Sequence, residues 1–400
     1  MKRWMIAVLV LCLLPVCALP EEEDLILEEI VEDVIIDEDG NELLYDEATG
    51  ETFLLTQAEQ DRLNSMEPEE EDLDEDVELG ELEINTNLPS NVVNILLVGV
   101  DTRSNDPQNI TGLGDTEIIV SVNKETGEIK MTSILRDSYV AMVPARDKAK
   151  INEAFQRACR NGGGTAGGAS RAMRVINHNF DMNLQYCVAI NFNGLASIID
   201  SLGGIDIALT EAEANYINYY LKEHPPAYDN KAKGERVRLD WKSEKAAGAQ
   251  EVVDGRLILH LDGVQAVMYA RIRKLDNDFS RTDRQRHLLD LLLQLVVQDM
   301  SVDKLLDLLD ACMPYAWTNM NISEIFDLCV AVMRSDILSR MNTGSLFDQM
   351  RLPLDNDEGK NNNWHYATSS SGASVIEYRH MSAHIQALHE FIYGAYYPAD

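Results

Sequence analysis

Two short β-branched runs joined by a tight turn constrain this chain more than any other feature. Residues 117–122 (EIIVSV) and 128–135 (EIKMTSIL) flank Asn123-Lys124-Glu125-Thr126-Gly127. Runs of this composition bounded by Asn and Gly read as the strands of a hairpin. A hairpin centred between Glu125 and Thr126 opposes residues whose numbers sum to about 251. That register places Asp115 opposite Arg136. Upstream, residues 91–100 (NVVNILLVGV) are apolar, short and β-branched, which favours a buried strand over a helix. Asp101 stands at its C-terminal end.

Further elements follow in alternation. A Gly-rich stretch at 161–168 precedes a helix expected over 170–179. It lacks the Walker lysine and the dinucleotide spacing, and reads as a mobile connection. A strand is expected over 185–191, a helix over 194–202, a strand from 205, a strand over 267–272 and a helix starting near Ser280. Helical periodicity recurs over 287–310 and 322–333, and the polar stretch 219–255, with Pro225-Pro226, reads as an irregular insertion. Strands alternating with helices indicate an α/β domain. The expected fold is a three-layer α/β/α sandwich with a mixed central sheet, preceded by a disordered acidic segment.

The charge is unevenly placed. The formal net charge is −34, and residues 21–90 hold 28 Asp or Glu against a single Arg62. Residues 19–90 therefore read as a solvated, disordered acidic stalk. Apolar groups at 34–36 and 53–55, with Asp39-Gly40 and Thr49-Gly50, offer local hairpins within it. At the N-terminus, Lys2-Arg3 precede an apolar run at 4–16, and Val16-Cys17-Ala18 supplies small residues for cleavage. Residues 1–18 read as a signal peptide, with an uncleaved anchor as the alternative. Export permits disulfides among Cys159, Cys187, Cys312 and Cys329, and spacing does not assign them. No Cys/His spacing suggests zinc.

Against this acidity stands a basic run. Residues 269–286 carry Arg271, Arg273, Lys274, Arg281, Arg284 and Arg286. The planar guanidinium fork suits bidentate contacts to phosphate, so the run is a candidate phosphate or pyrophosphate site. Arg271 and Arg273 share a face if 267–272 is a strand. Arg281, Arg284 and Gln285 are spaced i, i+3, i+4 on one helix face. Asp101, Asp115 and Arg136 gather at one sheet edge, where ligands of α/β sheets bind. Two carboxylates and an arginine there suit a Mg²⁺ bridging to phosphate oxygens. They equally suit a plain cross-strand ion pair. The basic cluster is too local for a nucleic-acid track.

Five segments together resemble the LytR-CpsA-Psr family of Gram-positive cell envelopes: ILLVGVDTRS (95–104), GDTEIIVSVN (114–123), SILRDSYV (133–140), NFNGLASIIDSLGGIDI (191–207) and YARIRKLDNDFSRTDRQR (269–286). The resemblance covers roughly residues 91–300, and implies a catalytic domain over 91–400 completed by C-terminal helices. It implies an α/β/α sandwich with an apolar tunnel for a polyprenyl chain. The implied activity is Mg²⁺-dependent phosphotransfer of a glycopolymer from an undecaprenyl-pyrophosphate carrier to peptidoglycan, at the membrane surface outside the cytoplasm. It implies Asp101 and Asp115 as Mg²⁺ ligands. Arg136, Arg271, Arg273, Arg281 and Gln285 are implied to bind pyrophosphate, with Asp115 and Arg136 as the catalytic pair. Arg103 and Arg284 match family positions of the same pyrophosphate site. Where the family often has Arg-Ser-Asp-Thr, this chain has Leu113-Gly114-Asp115-Thr116. That departure keeps open a non-catalytic polyprenyl-pyrophosphate or wall-polymer binder, and a pyrophosphatase would use the same residues.

Overall fold

The computed structural model describes residues 35–36, 42–46, 51–53, 82–102, 110–144, 147–223, 237–252, 255–272, 275, 278–297, 316–321, 324–325, 327–328, 331, 348–356 and 363–399. Within the acidic segment, β1 (Ile35–Ile36), β2 (Glu42–Asp46) and β3 (Glu51–Phe53) form an antiparallel three-stranded sheet. The two expected Xaa-Gly pairs lie in sequence between these strands, so the described residues of this part of the expected disordered stalk are paired strand.

The centre is a six-stranded mixed sheet. It is built from β4 (Val92–Asp101), β5 (Leu113–Asn123) and β6 (Ile129–Ile134), then, after the short hairpin β7 (Tyr139–Ala141) and β8 (Lys148–Lys150), β9 (Tyr186–Asn191). A two-stranded sheet, β10 (Ile205–Leu209) with β11 (Leu257–Leu261), stands apart. β12 (Ala316–Thr318) and β13 (Asp348–Leu352) close the central sheet in the order β12-β9-β4-β5-β6-β13. The outer hairpin β14 (Trp364–Thr368) and β15 (Ser374–Tyr378) follows. β5 and β6 pair from Glu117↔Ile134 to Val122↔Ile129, the register that the turn predicts.

Helices cover both faces. α1 (Glu153–Ala158) and α2 (Gly164–Phe180) lie on one side, joined by a π-helical turn at Cys159–Gly163. Alternate β4 residues Leu96, Val98 and Val100 share a core with Phe155, Met173 and Phe180 there. The stretch 161–168 is thus a kink between two helices, with Gly162 and Gly164 outside helical φ/ψ, that runs directly into α2. Gly162 supplies a φ of 92°, and a Cβ on Gly168 would lie 2.6 Å from Cys159 Sγ, so small residues let α1 and α2 touch. α3 (Phe192–Ser201), α4 (Glu211–Glu223), α5 (Trp241–Ala246), α6 (Gly263–Ala270) and α7 (Asp278–Val297) follow, and α8 (Met381–Tyr393) ends the fold. α3, α6 and α7 share the second core with β10 and β11.

Three further expectations change. Residues 267–272 are not a strand: Asp262 and Gln265 form a capping box that starts α6, and every residue of that helix is buried. An element buried all round has no amphipathic period to separate helix from strand. Residues 82–88 belong to the packed domain, with Leu82 fully buried and Asn85 Nδ2 donating to the Tyr397 carbonyl at 2.8 Å. The irregular insertion contains the end of α4 and all of α5, while 224–236 lie outside the described residues. Cys187 is a buried free thiol and Cys159 is free. Cys312 and Cys329 lie outside the described residues. Among the described residues, no helix is long and apolar enough to cross a membrane.

Candidate active site

A β-bulge builds the site. Gly99 pairs with Thr116 but Val100 pairs with Gly114, which leaves Asp115 as the extra residue. Bulges re-aim side chains in this way. Glycine makes the close approach possible, since a Cβ on Gly112 would lie 2.4 Å from the Asp101 carbonyl oxygen. Asp115 is only 6% exposed. Its Oδ1 accepts from Arg136 Nη1 at 3.1 Å and its Oδ2 accepts from Arg281 Nη2 at 3.3 Å. Asn152, ahead of α1, reaches Oδ1 with Nδ2 at 3.5 Å. The hairpin inference therefore holds as geometry: Asp115 and Arg136 meet across β5 and β6. Arg281 is 2% exposed, and comes to them from α7.

The second carboxylate, Asp101, ends β4 opposite Leu113. Arg271, the C-cap of α6, places Nη2 3.7 Å from Asp101 Oδ2 and its guanidinium over the Phe192 ring at 4.4 Å. Arg136 also approaches Asp137, whose Oδ1 takes Lys150 Nζ at 2.5 Å. Arg103 and Arg273 lie outside the described residues. Arg284 reaches Glu213 and the backbone after α6. Its Nε donates to Glu213 Oε1 at 3.2 Å and its Nη1 to the Ile272 carbonyl at 3.3 Å. Burial pushes the Glu213 carboxyl up, but hydrogen bonds from Thr210 and Arg284 and the Arg256 charge outweigh it and hold it below the usual range.

Besides Glu213, two polar groups near Asp115 escaped the sequence reading. Asn152 has no motif around it. Glu117 occupies a strand position two residues from Asp115, is 1% exposed, and neither carboxyl oxygen has a hydrogen-bond partner. Burial, with the neighbouring Asp115 charge, pushes it up to about 8, so it is mostly a neutral acid at pH 7. Its position inside an apolar run was the available signal.

An apolar cavity adjoins the charged cluster. It encloses about 970 Å³ of empty space, its open mouth included, between the sheet and α3, α6 and α7. Leu97, Phe192, Ile198, Val267, Leu288 and Leu292 are among its walls. Cavity and cluster share a boundary. Thr116 follows Asp115, Ala270 precedes Arg271, Gln285 lies one turn beyond Arg281, and all three line the cavity. One element set thus presents cations at one end and hydrocarbon at the other, which fits an anionic amphiphile.

The donor set can be tested against Mg²⁺. Asp101 and Asp115 stand on paired strands at one edge, and both carboxylates are of the oxygen-donor type. Among the described residues no group of three His, Cys, Asp or Glu is placed to hold a metal. One or two carboxylates completed by phosphate oxygens and water is the arrangement Mg²⁺ favours, unlike the closed N/S shells of zinc. The residues fit.

A family model described as the LytR_cpsA_psr family matches residues 53–379. The chain belongs to this family. Among curated LytR-CpsA-Psr relatives, a polyisoprenyl-teichoic acid–peptidoglycan teichoic acid transferase, TagU of Oceanobacillus iheyensis, is 27% identical over 235 residues, 58% of this chain and 60% of the relative. TagU of Halalkalibacterium halodurans is 28% identical over 236 residues, 58% of this chain and 63% of the relative. The chain thus spans about three-fifths of the length of these two relatives. The crystal structure of B. subtilis TagV matches with a TM-score of 0.51 at 20% identity, over 78% of this chain and all of that one. This likeness shows a shared fold.

Proposed function

We propose that this chain transfers a glycopolymer from an undecaprenyl-pyrophosphate carrier to peptidoglycan in the cell envelope. The observation that carries the reading is the shared boundary of the Asp115–Arg136–Arg281 cluster and the apolar cavity. A pyrophosphate would lie against the arginines while the prenyl chain fills the cavity. The family and the reaction named for its TagU relatives support the same substrate class.

The chain's own residues would bind and orient. Arg136, Arg271 and Arg281 hold the pyrophosphate oxygens, and Gln285 meets the carrier where phosphate gives way to hydrocarbon. Asp101 and Asp115 would hold Mg²⁺, which supplies charge neutralisation on the phosphate oxygens. An acceptor hydroxyl then attacks the phosphorus bonded to the glycopolymer. A new P–O bond forms, the P–O bond to the bridging oxygen breaks, the hydroxyl proton passes to water or to the departing phosphate, and undecaprenyl phosphate leaves. Such transfer depends mainly on positioning and preorganised charge. Arg136, Arg271 and Arg281 stand at Asp115 and Asp101 without an arginine at position 113, which supports a catalytic reading despite the Leu113 departure.

The test uses a labelled glycan on a synthetic undecaprenyl pyrophosphate, incubated with peptidoglycan and Mg²⁺. Covalent, Mg²⁺-dependent appearance of label in the wall polymer is expected. Tight binding of the carrier with no label transferred would overturn the transferase reading in favour of a binding protein.

A further inference from the structure

We infer that Arg284 is a positioning residue, locked by Glu213, that fixes the spacing between the Arg271 and Arg281 arms of the anion site. The inference deepens the pyrophosphate reading above, and its ligand-binding arm rests on that reading. Arg281 and Gln285 lie on one flank of the α7 stripe, and Arg284 lies on the other. Among its guanidinium's bonds, one goes to Glu213 on α4 and another, from a different nitrogen, to the Ile272 carbonyl. Ile272 directly follows Arg271. One side chain therefore ties the first turns of α7, which carry Arg281, to the peptide that carries Arg271.

Glu213 is held as firmly as it holds. It is 4% exposed. Its Oε2 accepts from Thr210 N at 3.0 Å, Thr210 Oγ1 at 3.1 Å and Arg256 Nη1 at 2.8 Å. Arg256 Nη1 also donates to the Ala208 carbonyl at 3.2 Å. The end of β10, the approach to β11, the start of α4 and the start of α7 thus meet on one carboxylate, and Arg284 adds the segment after α6. Breaking a buried ion pair leaves an uncompensated charge, so Arg284 does not exchange Glu213 for a ligand freely. A multi-armed anion clamp needs its arms prearranged. The Glu213–Arg284 pair supplies that arrangement from beside the Arg281 arm, with the Arg284 guanidinium engaged by Glu213 and Ile272.

The test compares full-length Glu213→Gln, Arg284→Met and the double variant. One readout is calorimetric affinity for inorganic pyrophosphate with Mg²⁺ at several salt concentrations. The other is amide hydrogen exchange across residues 271–285. Each single variant is expected to lose about tenfold to a hundredfold in affinity, the range seen when outer-shell partners of a ligand set are removed. The double variant should lose no more than the worse single, since the two residues act as one unit. Salt dependence should stay that of the wild type, and exchange should rise over 271–285 while the central sheet stays protected. A lower salt dependence in Arg284→Met, with Glu213→Gln binding as tightly as wild type, would make Arg284 a direct ligand and overturn the inference. Unchanged exchange in Glu213→Gln would also overturn it, whether or not pyrophosphate binds. Failure of the wild type to bind pyrophosphate would instead sink the site reading. If Glu213→Gln does not fold, Arg284→Lys, which keeps the charge but not the forked pair of bonds, is expected to show the same exchange pattern.

Discussion

Asp115 is the residue on which the site turns, and its neighbours set what can be changed around it. Arg136 is 20% exposed at the side chain and reaches Asp115 from the end of β6. Arg136→Ala should therefore leave the core intact and act on the chemistry. Loss of one preorganised charge contact typically lowers kcat by about 10²–10³. The expectation is that fall in glycan transfer from a protein that still folds, because Arg281 still pairs with Asp115, and unaltered transfer would remove Arg136 from the site. Glu117 offers a separate, purely thermodynamic test. Its folded pKa is raised to about 8 from an ordinary 4.5, so between those pH values the native state holds a proton that the unfolded chain has released. Stability then falls as pH rises through that window, by at most about 1.4 kcal/mol per pH unit, and levels off above it. Glu117→Leu removes the unpartnered carboxyl and should flatten this dependence, with its largest gain near pH 8. Urea unfolding at pH 5 and pH 8 checks it, and an unchanged pH slope would contradict the assignment. The Asp115–Arg136 pair was legible because a five-residue turn fixes the register. Glu213 was not, since an acidic residue in the first turn of a helix looks like ordinary surface until the fold brings two arginines to it.

Elements differ in how openly the sequence declares them. β4, β5, β6 and β9 were readable, because β-branched runs bounded by turn residues leave little alternative. α6 was not, because its run from Gly263 to Ala270 is buried on all sides and carries no polar face. Reading it as a strand put Arg271 and Arg273 on a common face, whereas Arg271 is in fact a helix C-cap stacked on Phe192. The start of α6 is also where the packing is tightest. A Cβ on Gly263 would lie 1.8 Å from the Ala196 carbonyl oxygen of α3. Gly263→Ala must therefore push α6 away from α3, at a cost of roughly 1–3 kcal/mol or more. A lowered melting temperature together with weakened carrier binding is expected, because both helices line the cavity. A wild-type melting temperature would mean the helices are not so closely apposed.

At the scale of the whole molecule, one charged edge and one apolar cavity are assembled from segments far apart in the chain. The sequence showed each half, in the arginine run and in the Leu-rich helix, but their shared boundary is a tertiary fact. The division of labour can be separated experimentally. Leu289→Trp, on the cavity wall, is expected to weaken a polyprenyl pyrophosphate at least tenfold while inorganic pyrophosphate binds as before, since each buried CH₂ contributes about 0.8 kcal/mol. Equal losses for both ligands would mean the cavity does not hold the chain. The most direct measurement is Mg²⁺-dependent release of undecaprenyl phosphate from a synthetic lipid-linked glycan pyrophosphate, with and without peptidoglycan. Release that requires the acceptor is the expected result. Release at the same rate without acceptor would mean hydrolysis by the same residues, and would contradict the assignment of this chain as a glycopolymer transferase.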